Sequence, residues 1–222
     1  MVKLRLFELY TEKHRLLDKK EKTLEIFGSK NSLQKIKKYK KVKRSVLKKI
    51  EKLTNKISNY IKDRKILTKL YYFKALSYDI EKKENLIYKN MKKAEGYVEN
   101  KKYERQIYIR LAEYHYNKKQ YSSAQKYYEK LITLPSDVWL KKNLFNLAWV
   151  YLKTEKVSKA ILTLNSVYTL PKNKKYHELG VQLDRTLILF YAISTKIESG
   201  LKFLKTQNMN SFENLLLLLR YN

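Results

Sequence analysis

Apolar positions along the first third of the chain step by three, four and seven. Leu6, Tyr10, Leu17, Leu24 and Phe27 predict a helix over residues 3–27. The stretch "GSKNS" ends it: Gly28 suits the left-handed turn after a helix, and Asn31, with Gln34 three residues later, reads as the next N-cap. Ile36, Tyr39, Val46, Ile50, Leu53, Ile57, Tyr60, Leu67 and Tyr71 then form a heptad seam interrupted by Lys43 and Arg64. This predicts one long helix whose other faces are nearly solid Lys. Residues 3–27 would fold back on it as a helical hairpin. The seam equally allows an intermolecular coiled coil.

From residue 70 the pattern changes to pairs of shorter helices. "LAEYHYNKKQYSSAQKYYEKLITLP" (111–135) returns 36 residues later as "LAWVYLKTEKVSKAILTLNSVYTLP" (147–171). Leu111, Ala112 and His115 are matched by Leu147, Ala148 and Tyr151. After a short polar turn, Tyr121, Ala124, Tyr128, Leu131 and Leu134 are matched by Val157, Ala160, Leu164, Val167 and Leu170. A small residue at the crossing lets two helix axes approach, and large ones fill the groove around it. Pro135 and Pro171 stop the second helices, and Ser136 or Asp137 can cap the next. Weaker copies flank the pair: "LYYFKALSYDI" with Ile87, Met91 and Ala94 upstream, and Leu187, Ile188, Tyr191, Ile197, Gly200 and Leu204 downstream.

With this placement of small and large residues, residues 108–171 resemble two tetratricopeptide repeats, with degenerate copies over 70–107 and 180–206. The usual period of that family is about 34; the two extra residues fall after Pro135. The expected fold is all-α. A basic helical hairpin or coiled coil (1–66) leads into a tetratricopeptide-like α-solenoid of antiparallel helix pairs (67–222). A helix from Ser211 to Arg220, carrying "NLLLLL", would cap the array.

The resemblance implies a function and a place for it. In this family the first helix of each repeat lines a concave groove that holds a protein partner. The matching positions are Ile109, Glu113, Tyr116 and Asn117 in one repeat, and Lys142, Phe145, Trp149, Leu152 and Lys153 in the next. Tyr72 and Leu76 upstream, and Arg185 and Leu189 downstream, extend the line. Phe145 and Trp149 share a helical face and would anchor a peptide or an amphipathic helix, unless neighbouring helices bury them. Lys142, Lys153 and Arg185 would favour acidic flanks. Some repeats of the family clamp an acidic chain terminus through Lys, Asn and Arg. Ile109 and Phe145 stand where such cations would be wanted, which weighs against that clamp.

Charge adds a second candidate. Lys and Arg number 50 against 21 Asp and Glu, a net +29, and residues 30–69 alone carry +14. Lys37, Lys38, Lys40, Lys41, Lys43, Arg44, Lys48 and Lys49 form a basic patch. Nucleic acid, an anionic surface or an acidic protein would relieve its self-repulsion. The plainer reading is a solvated face in a Lys-rich chain. Tyr39 and Tyr60 lie on the seam, where they are not free to stack on bases.

Composition excludes more than it suggests. Four Gly and two Pro are too few for a sheet protein's turns, and the absence of Cys removes disulfides and thiolate chemistry. No apolar run approaches the roughly 18 residues of a membrane span, and the N-terminus lacks a signal-peptide pattern, so the cytoplasm is the default location. His14, His115 and His177 are isolated and are expected to be neutral and satisfied. No phosphate loop, metal-ligand cluster or nucleophile–base pair appears. The expectation is a non-enzymatic protein-binding scaffold without cofactors; nucleic-acid binding through the Lys-rich helix 30–69 is the alternative. Self-association through the seam is a further option.

Overall fold

The computed structural model describes residues 2–29, 32–99, 101–135, 139–170, 177–194 and 196–207. Among them are ten helices and no strand: α1 (Val2–Phe27), α2 (Leu33–Ser58), α3 (Arg64–Ile80), α4 (Glu84–Gly96), α5 (Lys101–Asn117), α6 (Tyr121–Thr133), α7 (Leu140–Lys153), α8 (Val157–Thr169), α9 (His177–Ile193) and α10 (Ile197–Thr206). The Ser211–Arg220 helix and the caps at Asn31, Ser136 and Asp137 lie outside the described residues. The chain forms two compact units, Met1–Leu111 and Ala112–Asn222, whose boundary falls within α5.

In the first unit α1 and α2 pack as the expected hairpin. Their order is antiparallel: Lys40 reaches Glu25 at 3.1 Å, Lys43 reaches Asp18 at 3.0 Å, and the Lys49 ammonium lies 5.2 Å from the Tyr10 ring centre. The buried face of α1 is not the predicted stripe. Leu6 and Phe27 are exposed, while Phe7, His14, Asp18 and Glu21 face inward. Heptad spacing is preserved but is filled by polar residues, which hydrophobic periodicity alone passes over. Lys43 is the reason they can be there. It is buried between Asp18 Oδ1 at 3.0 Å and Glu21 Oε2 at 2.8 Å, so each charge has an opposite partner.

The single long basic helix is in fact two. α2 ends at Ser58, and α3 starts afresh at Arg64 after Asp63 caps it, its Oδ1 accepting from the Ile66 N–H at 3.1 Å. Without Gly or Pro at the break, the seam reads straight through it. Tyr60 falls in this break and is 80% exposed, so it does not sit in the seam. Gly28 also differs from expectation. No glycine has positive φ among the described residues; a Cβ at Gly28 would instead collide with the Leu24 carbonyl oxygen and the Ser32 side chain. Close approach, and not handedness, requires the glycine.

Left-handed residues occur elsewhere, once in each of three consecutive helix pairs. Lys82, Lys119 and Glu155 have φ of 54°, 58° and 61° in the turns α3–α4, α5–α6 and α7–α8. Each turn closes with the same pair of main-chain bonds. Lys83, Gln120 and Lys156 donate five residues back to Tyr78, His115 and Tyr151. Lys82, Lys119 and Glu155 donate three residues back to Asp79, Tyr116 and Leu152. This is the Schellman helix stop, which satisfies the last carbonyls of the first helix and reverses the chain into the second.

The repeat framework is buried as its spacing predicts. Ala112, Ala124, Ala148 and Ala160 are fully enclosed, as are Leu111 and Leu147. The large residue one turn later also ties neighbouring pairs together. Tyr78 donates to Glu51 on α2 at 2.6 Å, and Tyr151 to Glu129 on α6 at 2.9 Å. Tyr191 on α9 accepts from Asn165 on α8 at 2.9 Å. α2 thus serves α3 as α6 serves α7. α6 stops as expected: Leu134, before Pro135, is extended with ψ of 155°.

Candidate functional site

A groove of about 640 Å³ opens in the second unit between α5, α6 and α7. Its floor and walls follow from helix periodicity. Glu113, Tyr116 and Asn117 occupy one face of α5, and Phe145, Trp149 and Lys153 step by four along α7. These six were all expected from the sequence. Two more lining residues were not: Tyr128 from α6 and Asn146 from α7. Tyr128 reads as a packing residue in sequence, which it also is. Asn146, beside Phe145 and three residues before Trp149, had only that spacing to mark it.

The groove is aromatic with polar groups set into it. Trp149 is half-buried and meets Phe190 edge-on, ring centres 5.1 Å apart. That contact fixes the indole from behind while leaving part of it toward the groove. The Tyr128 hydroxyl accepts from Asn146 Nδ2 at 3.3 Å. Burial, helped by the negative charge of Glu113, pushes the Tyr128 pKa up, so the phenol stays protonated. Tyr116 is raised by burial as well and packs edge-on against Tyr121 at 5.6 Å. Asn117 and Lys153 are exposed at the rim. The surface thus offers one acid, one base, amides and phenols around an apolar pair.

The other expected positions do not line this groove. Leu152 is half-buried, and Lys142 is exposed with its ammonium 5.9 Å from the Trp139 ring centre. Arg185 and Leu189 are exposed on α9. In the first unit, Tyr72 joins an aromatic cluster, 5.4 Å from Phe73 and 5.0 Å from Tyr103, while Leu76 and Ile109 are half-buried.

The basic patch divides. Lys43 is interior, Lys40 pairs with Glu25, and Lys49 lies over Tyr10. Lys37, Lys38, Lys41, Arg44 and Lys48 are exposed on α2. His115 is satisfied, its Nδ1 2.6 Å from Gln120 Oε1 and its ring stacked on Tyr127. His14 departs from expectation. It is fully buried with neither ring nitrogen hydrogen-bonded, and its Nε2 is 3.4 Å from Glu81 Oε1. The side chain of His177 lies outside the described residues.

Among the described residues no group of three or more His, Asp or Glu could hold a metal ion. No described helix is long and apolar enough to cross a membrane.

No family model matches the sequence, and no curated protein matches it. Solved structures do. Two crystal structures of a Podosopora anserina putative kinesin light chain with nearly identical TPR-like repeats are similar over almost the whole length. One, a point variant, has a TM-score of 0.61 at 11% identity, over 97% of this chain and 98% of that one. The other has a TM-score of 0.60 at 12% identity, over 96% and 97%. The α1–α2 hairpin is therefore included in the likeness, in keeping with its place as the first helix pair. At such low identity the likeness is one of fold. The chain has the all-α, helix-pair fold of the tetratricopeptide-like repeat proteins.

Proposed function

We propose that the protein is a non-enzymatic scaffold that captures a peptide or amphipathic helix in the groove between α5, α6 and α7. The observation that supports this most is the setting of Trp149. A large aromatic held edge-on by Phe190, half open to a polar-rimmed groove, is the arrangement of a binding hot spot. An apolar side chain of the partner would rest on Phe145 and Trp149. Asn117, Asn146 and the two phenols offer donors and acceptors for its main chain. Lys153 favours an acidic residue at that end, and Glu113 a basic one deeper in.

The test is selection of a displayed random-peptide library on the full chain. Selected peptides should carry an apolar anchor, and Trp149→Ala should weaken them at least tenfold, a loss in the ordinary range for a hot-spot residue of about 2 kcal/mol. Lys153→Glu, at an exposed position that cannot harm the core, should weaken peptides with acidic flanks and spare the rest. Peptides that bind both variants as tightly as the parent would place the binding surface elsewhere.

A further inference from the structure

The tip of the α1–α2 hairpin exposes three large apolar side chains. Ile26 is 70% exposed, Phe27 83% and Leu33 63%. The first two end α1 and the third begins α2. The Lys40–Glu25 pair, at 3.1 Å, holds these two helix ends side by side. A single exposed Leu is ordinary, but three bulky residues gathered at one end need a reason. Leu33 also opens a face of α2 that continues as Lys37, Lys41, Arg44 and Lys48, at spacings of four and three. These four cations span roughly 17 Å of helix, at 1.5 Å per residue. They border a surface cavity of about 600 Å³, and none of them has a carboxylate within 4.0 Å among the described residues.

We propose that this hairpin docks, tip first, on an anionic lipid surface. Ile26, Phe27 and Leu33 would enter the boundary between headgroups and acyl chains, while the stripe behind them meets the negative headgroups. Each half is weak alone, and stable attachment takes an apolar insertion together with a basic patch. An anionic lipid surface engages both halves at once. A nucleic acid would engage the four cations and leave the apolar tip in water. The stripe also carries no aromatic side chain for a base to stack on, and Tyr39 is half-buried away from it. Three of the four cations are Lys, which supply point charges suited to diffuse headgroup charge more than to bidentate recognition.

Sedimentation of the full chain with unilamellar vesicles tests this. The protein should pellet with phosphatidylcholine vesicles containing phosphatidylserine and stay in solution with phosphatidylcholine alone. A variant with Ile26→Ser, Phe27→Ser and Leu33→Ser should lose at least tenfold in vesicle affinity. A variant with Lys37→Glu, Lys41→Glu, Arg44→Glu and Lys48→Glu should lose more than about a hundredfold, since each basic residue contributes about fivefold near such a surface. All seven positions are exposed, and unchanged circular dichroism verifies the folds. Two results overturn the proposal. One is failure to pellet with the anionic vesicles. The other is a serine variant that binds vesicles unchanged while the parent holds duplex DNA or polyglutamate equally well, which marks a general polyanion surface.

Discussion

Asn143 and Ile107 stand 36 residues apart, at the same place in successive repeats. Ile107 is fully enclosed, and Asn143 is 2% exposed with its Nδ2 lacking any hydrogen-bond partner among the described residues. A buried amide donor without an acceptor costs about 1–3 kcal/mol, and the neighbouring repeat shows that a branched apolar side chain suits the position. Asn143→Ile should therefore stabilise the second unit by about 1–2 kcal/mol. Urea unfolding followed by tryptophan fluorescence measures it, since both Trp residues, Trp139 and Trp149, lie in that unit. A loss of stability would mean that the amide has an acceptor or that the branched, bulkier isoleucine overfills the site. Leu147→Ala in the same helix is the counterpart. It empties a fully enclosed site next to the groove and should cost about 2–5 kcal/mol.

At the scale of elements, the junction of α1, α2 and α3 is where the fold is most sensitive to its charges. Lys43→Met leaves Asp18 and Glu21 buried without their shared cation, and should cost about 3 kcal/mol, the usual order for breaking a buried pair from one side. His14 lies in the same junction, facing Glu81 just past the end of α3, Lys43 of α2 and Asp18 of its own helix. Burial holds its pKa below the ordinary 6.5; Glu81 and Asp18 oppose that shift and Lys43 adds to it. A depressed histidine pKa means the unfolded chain binds the proton more readily. The stability contributed by neutral His14 is thus complete above about pH 6.5 and falls as pH drops toward the folded-state value. Asp18 acts later. Despite burial, Lys22 and Lys43 hold its pKa below the ordinary 3.8, so its contribution persists above that and is lost as pH falls through the lower, folded-state value. Thermal unfolding by circular dichroism from pH 7 to 5 should show declining stability, and His14→Leu should flatten the decline. An unchanged slope in that variant would mean another group titrates there.

This junction also marks the limit of what the sequence discloses. The helix pairs from residue 70 onward were legible because Ala112, Ala124, Ala148 and Ala160 sit at crossings that only small side chains permit. In α1 the inward positions are His14, Asp18 and Glu21, which read as a solvent face until Lys43 is seen opposite them. The stop at Ser58 was hidden for a related reason. Its signal is a lone capping Asp63, with no Gly or Pro, inside an apolar period that continues across it. Six of the eight residues lining the groove fall at positions that the resemblance to the repeat family assigns to the inner helix of each pair. Tyr128 was missed because it serves the core and the groove at once.

At the scale of the whole molecule, 50 cations face 21 anions, and the chain repels itself. Screening shortens the reach of that repulsion from about 10 Å at 0.1 M salt to about 3 Å at 1 M. The melting temperature should therefore rise with sodium chloride, by about 2–4 °C for each kcal/mol of repulsion relieved in a chain of this size. Calorimetry across that range checks it, and a falling melting temperature would show that ion pairs such as Lys43 with Asp18 outweigh the repulsion.

Because the turns at Lys82, Lys119 and Glu155 are closed by main-chain bonds, they ask little of the side chain that sits there. Two lysines and a glutamate fill a place where a glycine would serve, each tolerating a strained backbone for the sake of the stop. Such joints are spelled in geometry, so mutation can rewrite their letters for many generations without moving a helix. A surface carried on such joints can change its side chains while the helices that present it stay where they are.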